Sequence, residues 1–321
     1  MKAIRSAVIH EDEIKSLGIK PSDCVQWVKE SFLMKYEAQL PAKISVHPQG
    51  NDFFTAMPVL LPERFGKYAV KIVSRIKGRC PALSSEIYLY DSTAGSLLAV
   101  LDGEWITTMR TGAVAALACS EFARRDARVY SFIGLGNTAH ATALCLTEML
   151  KDKEVTFRLL RWKDQAEKFA ERFSDCGNIS FEFVDNAPEL IDGADVIISC
   201  ITDADGLICP DDSLFRPGCL LVPVHTRGFQ NCDLFFDKIF GDDRGHICGF
   251  GNFTRFKSFD EFSNVLLGRC PGRENDSERI ISYNIGLGLH DAVFADKIHS
   301  LLSNRPHEGF TLLKEDAKMW I

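Results

Sequence analysis

Nowhere in the 321-residue sequence is there a run approaching the roughly 20 apolar residues of a membrane-spanning helix, so no transmembrane segment is expected. The opening residues, Met1-Lys-Ala-Ile-Arg-Ser-Ala-Val-Ile-His-Glu-Asp-Glu13, carry charges where a secretory leader needs its apolar stretch. Eleven cysteines are scattered, with no Cys-x-x-Cys and no His/Cys group at zinc spacing. An odd number without a framework reads as free thiols, which predicts a reducing, cytoplasmic setting and no metal centre. Positive charge is also short: 37 Lys and Arg face 44 Asp and Glu, a formal net charge of −7. That balance speaks against nucleic acid and anionic membrane as partners, so an anionic ligand must be met by a local group of basic residues. Repeats and low-complexity tracts are missing too, and 46% hydrophobic with 25% charged residues is ordinary globular usage rather than that of a disordered chain.

The length exceeds a typical domain of roughly 100–150 residues and predicts two domains. A helix is expected from Pro21 to about Leu40, with Val25, Val28, Phe32 and Tyr36 at helical spacing. Strand-like pieces follow at 44–46, 53–57, 68–73 and 85–90, and Asp91-Ser-Thr-Ala-Gly95 has the turn chemistry to return 96–101 as a hairpin arm. Strands that precede any strand–helix alternation suggest an α+β domain with an antiparallel or mixed sheet. From about Thr111 the rhythm changes. A helix to Ala123 leads into strands at 128–133, 155–160, 180–184, 195–200, 220–224 and 238–240, most of them separated by helical stretches. This α/β alternation predicts a doubly wound parallel sheet. The stretch from about Glu278 to Leu302 reads as helix and is expected to rejoin the first domain. The expected division is 1–110 with 290–321, and 111–289.

Gly134-Leu-Gly136-Asn137-Thr138-Ala139 is a Gly-x-Gly-x-x-Ala sequence directly after an apolar strand. The first glycine permits the tight turn, the second lets a pyrophosphate approach the backbone, and the small third residue lets helix pack on strand. The N–H groups of the new helix then face the phosphates. The spacing predicts a Rossmann dinucleotide site. The next strand ends Leu160-Arg161-Trp162-Lys163-Asp164, and Arg161 with Lys163 makes an anion-friendly corner that favours NADP(H) over NAD(H). As solvated surface charges they would carry no such meaning, and Asp164 is an alternative acceptor for a ribose hydroxyl.

Three cations stand in unusual settings. Lys71 lies in the apolar strand Tyr68-Ala-Val-Lys71-Ile-Val73 and shares its period-two face with Ala69 and Val73. A lysine there is expensive unless it meets an anion. Arg110 is expected to head the helix of Thr111-Gly-Ala113, where its charge would oppose the helix dipole. Lys43 precedes a strand. Two readings stand side by side: internal ion pairs with Asp or Glu, or a pocket for a carboxylate with Arg110 as a bidentate fork. Arg255, Lys257 and Arg273 lie in the segment 248–273, which matches no family pattern and could shape a different substrate pocket; the preferred reading of the three is surface charges.

These residues also carry a family resemblance. Tyr68-Ala-Val-Lys71, Asp91-Ser-Thr-Ala-Gly95, Leu101-Asp-Gly103, Ile106-Thr-Thr-Met-Arg110-Thr111-Gly-Ala113 and Gly134-Leu-Gly136 come in that order. With Gly193-Ala-Asp-Val-Ile-Ile198 and Ile285-Gly-Leu-Gly-Leu-His290-Asp291, they make the stretch from about Lys43 to Ala295 similar to the ornithine cyclodeaminase/mu-crystallin family. The resemblance implies a homodimer whose two-ended domain holds substrate and dimer interface, and whose other domain holds a nicotinamide cofactor. It implies Lys43, Lys71 and Arg110 on the substrate carboxylate, and Thr111, Gly134, Gly136, Asn137, Thr138, Arg161 and Thr202 around the cofactor. His225, Arg227 and Asp291 are further candidate positions. Where the cyclodeaminases carry an acidic residue after the fifth Rossmann strand, this chain has Arg227, and Thr226-Arg227-Gly228 is closer to the reductase-like members. An arginine there would repel an ornithine ammonium. The expected activity is NAD(P)H-dependent imine or ketimine reduction, or amino-acid dehydrogenation, on a small α-imino or α-amino acid, with Lys71 carrying the proton. The alternatives are an ammonia-releasing ornithine cyclodeaminase with bound NAD, and a cofactor-binding protein without catalysis.

Overall fold

In a computed structural model of the chain, residues 2–315, 317 and 318 are described. The first sheet holds β1 (Lys2–Ile9), β2 (Ile44–Val46), β3 (Phe53–Leu60), β4 (Lys67–Arg75), β5 (Leu83–Asp91) and β6 (Ser96–Asp102). The second holds β7 (Val129–Ile133), β8 (Val155–Leu160), β9 (Ile179–Val184), β10 (Val196–Ser199), β11 (Leu220–Pro223), β12 (Lys238–Gly241), β13 (Phe259–Glu261) and β14 (Ile280–Tyr283). The last strand, β15 (Gly309–Lys314), returns to the first sheet. The described residues cluster into two compact units, one from the spans 1–20, 33–110 and 287–321, the other from 21–32 and 111–286. The helix of residues 21–32, expected within the first span, thus clusters with the second unit.

In the first unit the strand order is β15-β1-β6-β5-β4-β3-β2, antiparallel except where β1 runs parallel to β6. Along β6 every second residue is buried, from Leu97 through Ala99 to Leu101, as expected of a sheet with one covered face. The helix Gly288–Leu302 covers β3, β4 and β5, burying Leu289, Val293, Phe294 and Ile298. It begins very close to β3: a Cβ on Gly288 would lie 2.9 Å from Val59 Cγ2 and 3.2 Å from Met57 Cβ, so only glycine fits.

In the second unit all eight strands are parallel in the order β13-β12-β14-β11-β10-β7-β8-β9. The doubly wound α/β sheet read from the sequence is therefore present. Every residue of β10, β11 and β14 is buried, which explains their continuous apolar runs. Asp195 ties the start of this sheet together, accepting from the N–H groups of Arg128 (2.8 Å) and Val129 (3.0 Å) and pairing with Arg124 and Arg216.

Four expectations are corrected. Ile280–Tyr283 is a central strand and not the start of a helix, because a short run buried on both faces has no periodicity to separate the two. The helix expected from Thr111 begins at Glu104, which places its acidic residue in the first turn and Arg110 well inside. The strands β1 and β15 were not anticipated; they pair with each other from opposite ends of the chain, and no local signal announces such a partner. Arg273 is no surface charge: it donates to the carbonyls of Phe122 (2.8 Å), Gly218 (3.0 Å) and Glu278 (2.6 Å) and staples three segments of the second unit. Among the described residues, no helix is long and apolar enough to cross a membrane, and no group of three or more His, Cys, Asp and Glu side chains could hold a metal ion.

Candidate active site

Lys71 sits in the middle of β4, opposite Met57 of β3 and Ile87 of β5. Strand alternation turns it to the face that carries Ala69 and Val73, and the covering helix seals it there with its side chain 1% exposed. Asp291 answers it from the first turn of that helix: Lys71 Nζ donates to Asp291 Oδ1 at 2.8 Å. Arg110 Nε donates to the same oxygen at 3.1 Å, also from a buried position. The ion-pair reading of the two cations is thus met in part. Two cations nevertheless share one carboxylate, and Arg110 uses Nε alone on it. Its two terminal nitrogens, the fork that grips a carboxylate, are not spent on Asp291.

The electrostatics follow from burial. Desolvation pulls Lys71 down to about 8; Asp291 pulls the other way, and Arg110 adds to the fall. Burial pushes the Asp291 carboxyl up, but Arg110 and Lys71 outweigh it and hold it below its ordinary value. Glu104 lends Lys71 a weaker negative field from the first turn of the Glu104–Phe122 helix. It accepts from the Ser84 hydroxyl and from the Ser85 N–H at 3.3 Å. Glu104 is not among the residues expected from the sequence; an acidic residue directly after Leu101-Asp-Gly103 is the only local signal for it. Lys43 is half-buried one residue before β2, two strands along the sheet from β4.

The second cluster of candidates belongs to the parallel sheet. Gly134 directly follows β7 with φ +80°, and a Cβ there would lie 2.5 Å from Ile201 N and 2.7 Å from Cys200 C, so the turn crosses the end of β10 in backbone contact. Gly136 differs: its Cβ would meet nothing within 4 Å. Its carbonyl accepts from His140 N at 3.0 Å, opening the helix Asn137–Met149 and leaving the first N–H groups, those of Asn137 and Thr138 included, without intrahelical acceptors. Gly112, next to Thr111, packs against that helix so tightly that a Cβ would sit 2.5 Å from the Ala141 backbone. Arg161 follows β8, half-exposed, donating to Glu167 (2.9 Å) and Asp185 (3.4 Å) and lying over the Phe183 ring. Thr202 is exposed, shortly after β10. An open glycine, N–H groups without intrahelical acceptors at a helix start and an exposed arginine after the next strand are groups that fit a dinucleotide.

His225, just past β11, is fixed by both ring nitrogens. Nδ1 accepts from the N–H of Arg227 at 3.1 Å, so the ring proton sits on Nε2, which faces Ser199 Oγ at 2.7 Å. Burial, with Arg227 beside it, lowers His225 to about 4 and keeps it neutral. Arg227 itself pairs with Asp203. Ser199 was not singled out in the sequence; it is the last residue of an apolar strand, and only the adjacency of β10 and β11 brings it to His225.

The chain is similar to known proteins over most of its length. It is 28% identical over 315 residues to alanine dehydrogenase of Archaeoglobus fulgidus, covering 92% of this chain and 95% of that protein. With a Delta(1)-pyrroline-2-carboxylate reductase of Bacillus cereus it shares 25% identity over 228 residues, 66% of this chain and 69% of that one. The solved structure of Thermococcus litoralis Delta(1)-pyrroline-2-carboxylate reductase, in complex with NADH and L-proline, has the same fold. Its TM-score is 0.83 at 23% identity, with 95% of this chain and 100% of that chain covered. A profile of one family matches residues 6–305, and the chain belongs to that family, the ornithine cyclodeaminase/mu-crystallin family.

Proposed function

We propose that the protein is an NAD(P)H-dependent oxidoreductase that interconverts a small α-imino acid, or an α-keto acid with an amine, and the α-amino acid. The observation that carries this reading is the buried cluster of the first unit, in which Lys71 and Arg110 face a single carboxylate, Asp291. The trio of Lys71, Arg110 and Asp291 carries one surplus positive charge, only weakly offset by the more distant Glu104, and a carboxylate matches the unspent fork of Arg110. By the family resemblance, Lys43, half-buried at the sheet edge, is assigned as a third cation for the same carboxylate. The names of its relatives, pyrroline-2-carboxylate reductase and alanine dehydrogenase, point to the same chemistry.

Each residue then has a task. Arg110 and Lys43 hold the carboxylate and fix the α-carbon, and positioning of this kind supplies much of an enzyme's rate. Lys71, its ammonium lowered to about 8 by burial, delivers a proton to the nitrogen as the C=N bond is reduced. A reduced nicotinamide, when bound, would supply the hydride for the α-carbon. Gly136, Asn137 and Thr138 take the pyrophosphate, Thr111 and Thr202 line the cofactor site, and Arg161 meets the 2′-phosphate, so NADP(H) is preferred over NAD(H). Neutral His225, bonded to Ser199, holds its loop in place and leaves proton transfer to Lys71. Arg227 disfavours a diamino acid and with it cyclodeamination. The exposed Ile44 and Val46 on edge strand β2 support a homodimer, and eleven free cysteines support a cytoplasmic setting.

The test is to incubate the purified protein with NADPH or NADH and a panel of cyclic ketimines and α-keto acids with ammonia or methylamine. Consumption of reduced cofactor is expected. No consumption with any of them overturns the reading; ammonia release from ornithine would indicate a cyclodeaminase, and cofactor binding without either would indicate a binding protein.

A further inference from the structure

Asp291 is the one member of the buried cluster that neither the carboxylate pocket nor the proton transfer uses directly. It projects from the first turn of the Gly288–Leu302 helix, whose start is clamped on β3 at Gly288, so its position along β4 is set by packing of the whole helix. Simple neutralisation of two cations is best served by giving each its own carboxylate oxygen. Here both bonds converge on Oδ1, at 2.8 Å from Lys71 Nζ and 3.1 Å from Arg110 Nε, while Oδ2 is buried with no hydrogen-bond partner among the described residues. Convergence forces the ammonium and the guanidinium side by side, an arrangement that their mutual repulsion opposes. It is the arrangement that lets one small substrate meet both groups.

We propose that Asp291 is a positioning residue: through one shared oxygen it aims Lys71 Nζ at the substrate nitrogen and turns the terminal nitrogens of Arg110 toward the substrate carboxylate. The inference rests on the function proposed above. Four groups surround Lys71 electrostatically or along the same helix: Asp291 and His290 from the covering helix, Arg110 and Glu104 from the Glu104–Phe122 helix. Of these Asp291 alone both bonds Lys71 and carries the opposing charge. Its loss therefore destabilises the ammonium and not merely the fold.

The test compares wild type with Asp291→Asn and Asp291→Glu, reading the titration of Lys71 by 13C NMR of lysine-labelled protein, assigned with Lys71→Arg. With Asp291→Asn, the Lys71 midpoint is expected to fall by about one pH unit or more, the size of effect an adjacent opposite charge exerts. The basic limb of the kcat/KM profile for imine reduction should follow it, with the dinucleotide Kd unchanged. Asp291→Glu keeps the charge but shifts it by a methylene. It should leave the Lys71 midpoint near wild type while kcat falls about tenfold to a hundredfold through misplacement and the KM for the carboxylate substrate rises. An unchanged Lys71 titration in the Asn variant overturns the inference. So does a Glu variant with wild-type kcat and KM, which decides the matter should the Asn variant not fold. If wild type reduces no imine, the proposed function fails, yet the NMR arm still reports whether Asp291 sets the state of Lys71.

Discussion

The two units prepare their candidate binding groups in opposite ways. In the first, the groups are side-chain charges sunk among aliphatic neighbours: Lys71 between Ala69 and Val73 on β4, Arg110 in a helix, both drawn to Asp291. In the second, the groups at the glycine turn are backbone N–H donors, and the design consists of keeping side chains away, since Gly134 has no room for a Cβ and Gly136 has room that nothing fills. Charge in a low-dielectric interior is strong and selective for a small anion, but it needs a counter-charge to be tolerated at all. Backbone donors are neutral, need no counter-ion and spread over an extended phosphate chain. The first unit is therefore expected to be sensitive to changes in charge and the second to changes in shape.

The largest effect should come from the charges. Lys71→Met is expected to lower kcat for reduction by about 10²–10⁴-fold, the usual contribution of a general acid, and Arg110→Ala to raise the KM of the carboxylate substrate with a fall in kcat. Steady-state kinetics on folded variants checks both, and wild-type kcat in Lys71→Met would break the comparison. Shape comes next, within a single turn. Gly134→Ala puts a side chain at φ +80° and against the Ile201 backbone, and is expected to cost about 2–3 kcal/mol of stability. Gly136→Ala, in open space, should unfold like wild type yet bind dinucleotide about tenfold or more weakly, because the methyl occupies the phosphate's approach. Chemical denaturation and fluorescence titration separate the two, and equal stability losses would show that the turn is merely structural.

A pH effect of intermediate size follows from Lys71. Its ordinary value is 10.5, and burial lowers it to about 8 in the folded protein. Between these values the unfolded chain binds more protons than the folded one, so the site's contribution to stability rises with pH through that window; below about 8 the cost of the buried ammonium is fully present. Wild type should gain stability relative to Lys71→Met between pH 7 and pH 10, while reductive turnover should decline above about pH 8 as the proton is lost. A flat difference across that range would contradict the buried titration. The smallest effect is expected at Arg161, which is exposed and already shared between Glu167 and Asp185. Arg161→Ala should shift the NADPH-to-NADH preference by about tenfold, roughly 1.4 kcal/mol, and leave stability unchanged.

Legibility in the sequence differed between the units for the same physical reason. Lys71 was found because strand alternation is local: Ala69 and Val73 reveal which face it shares. The glycine turn was found because its three small residues act within six positions. Arg110 was found as a residue but placed wrongly, at a helix start, because the helix actually opens at Glu104. The strand β14 was misread as helix because burial on both faces erases the period-two pattern. Asp291 was noted as a position without its partners, since 220 residues separate it from Lys71 and 181 from Arg110.

By itself, then, the sequence determined what short-range patterns encode: an acidic chain with a parallel α/β region, a glycine-rich strand-to-helix turn at Gly134–Ala139 and a lysine pointing into a core. Tertiary structure alone decided how that lysine is kept. The helix Gly288–Leu302, from near the other end of the chain, closes over β4 and brings one carboxylate to two cations, leaving a surplus positive charge inside a protein of net charge −7. Composition counts charges without regard to place, whereas the energy of a charge depends on what lies within a few ångströms of it, and only folding sets those distances.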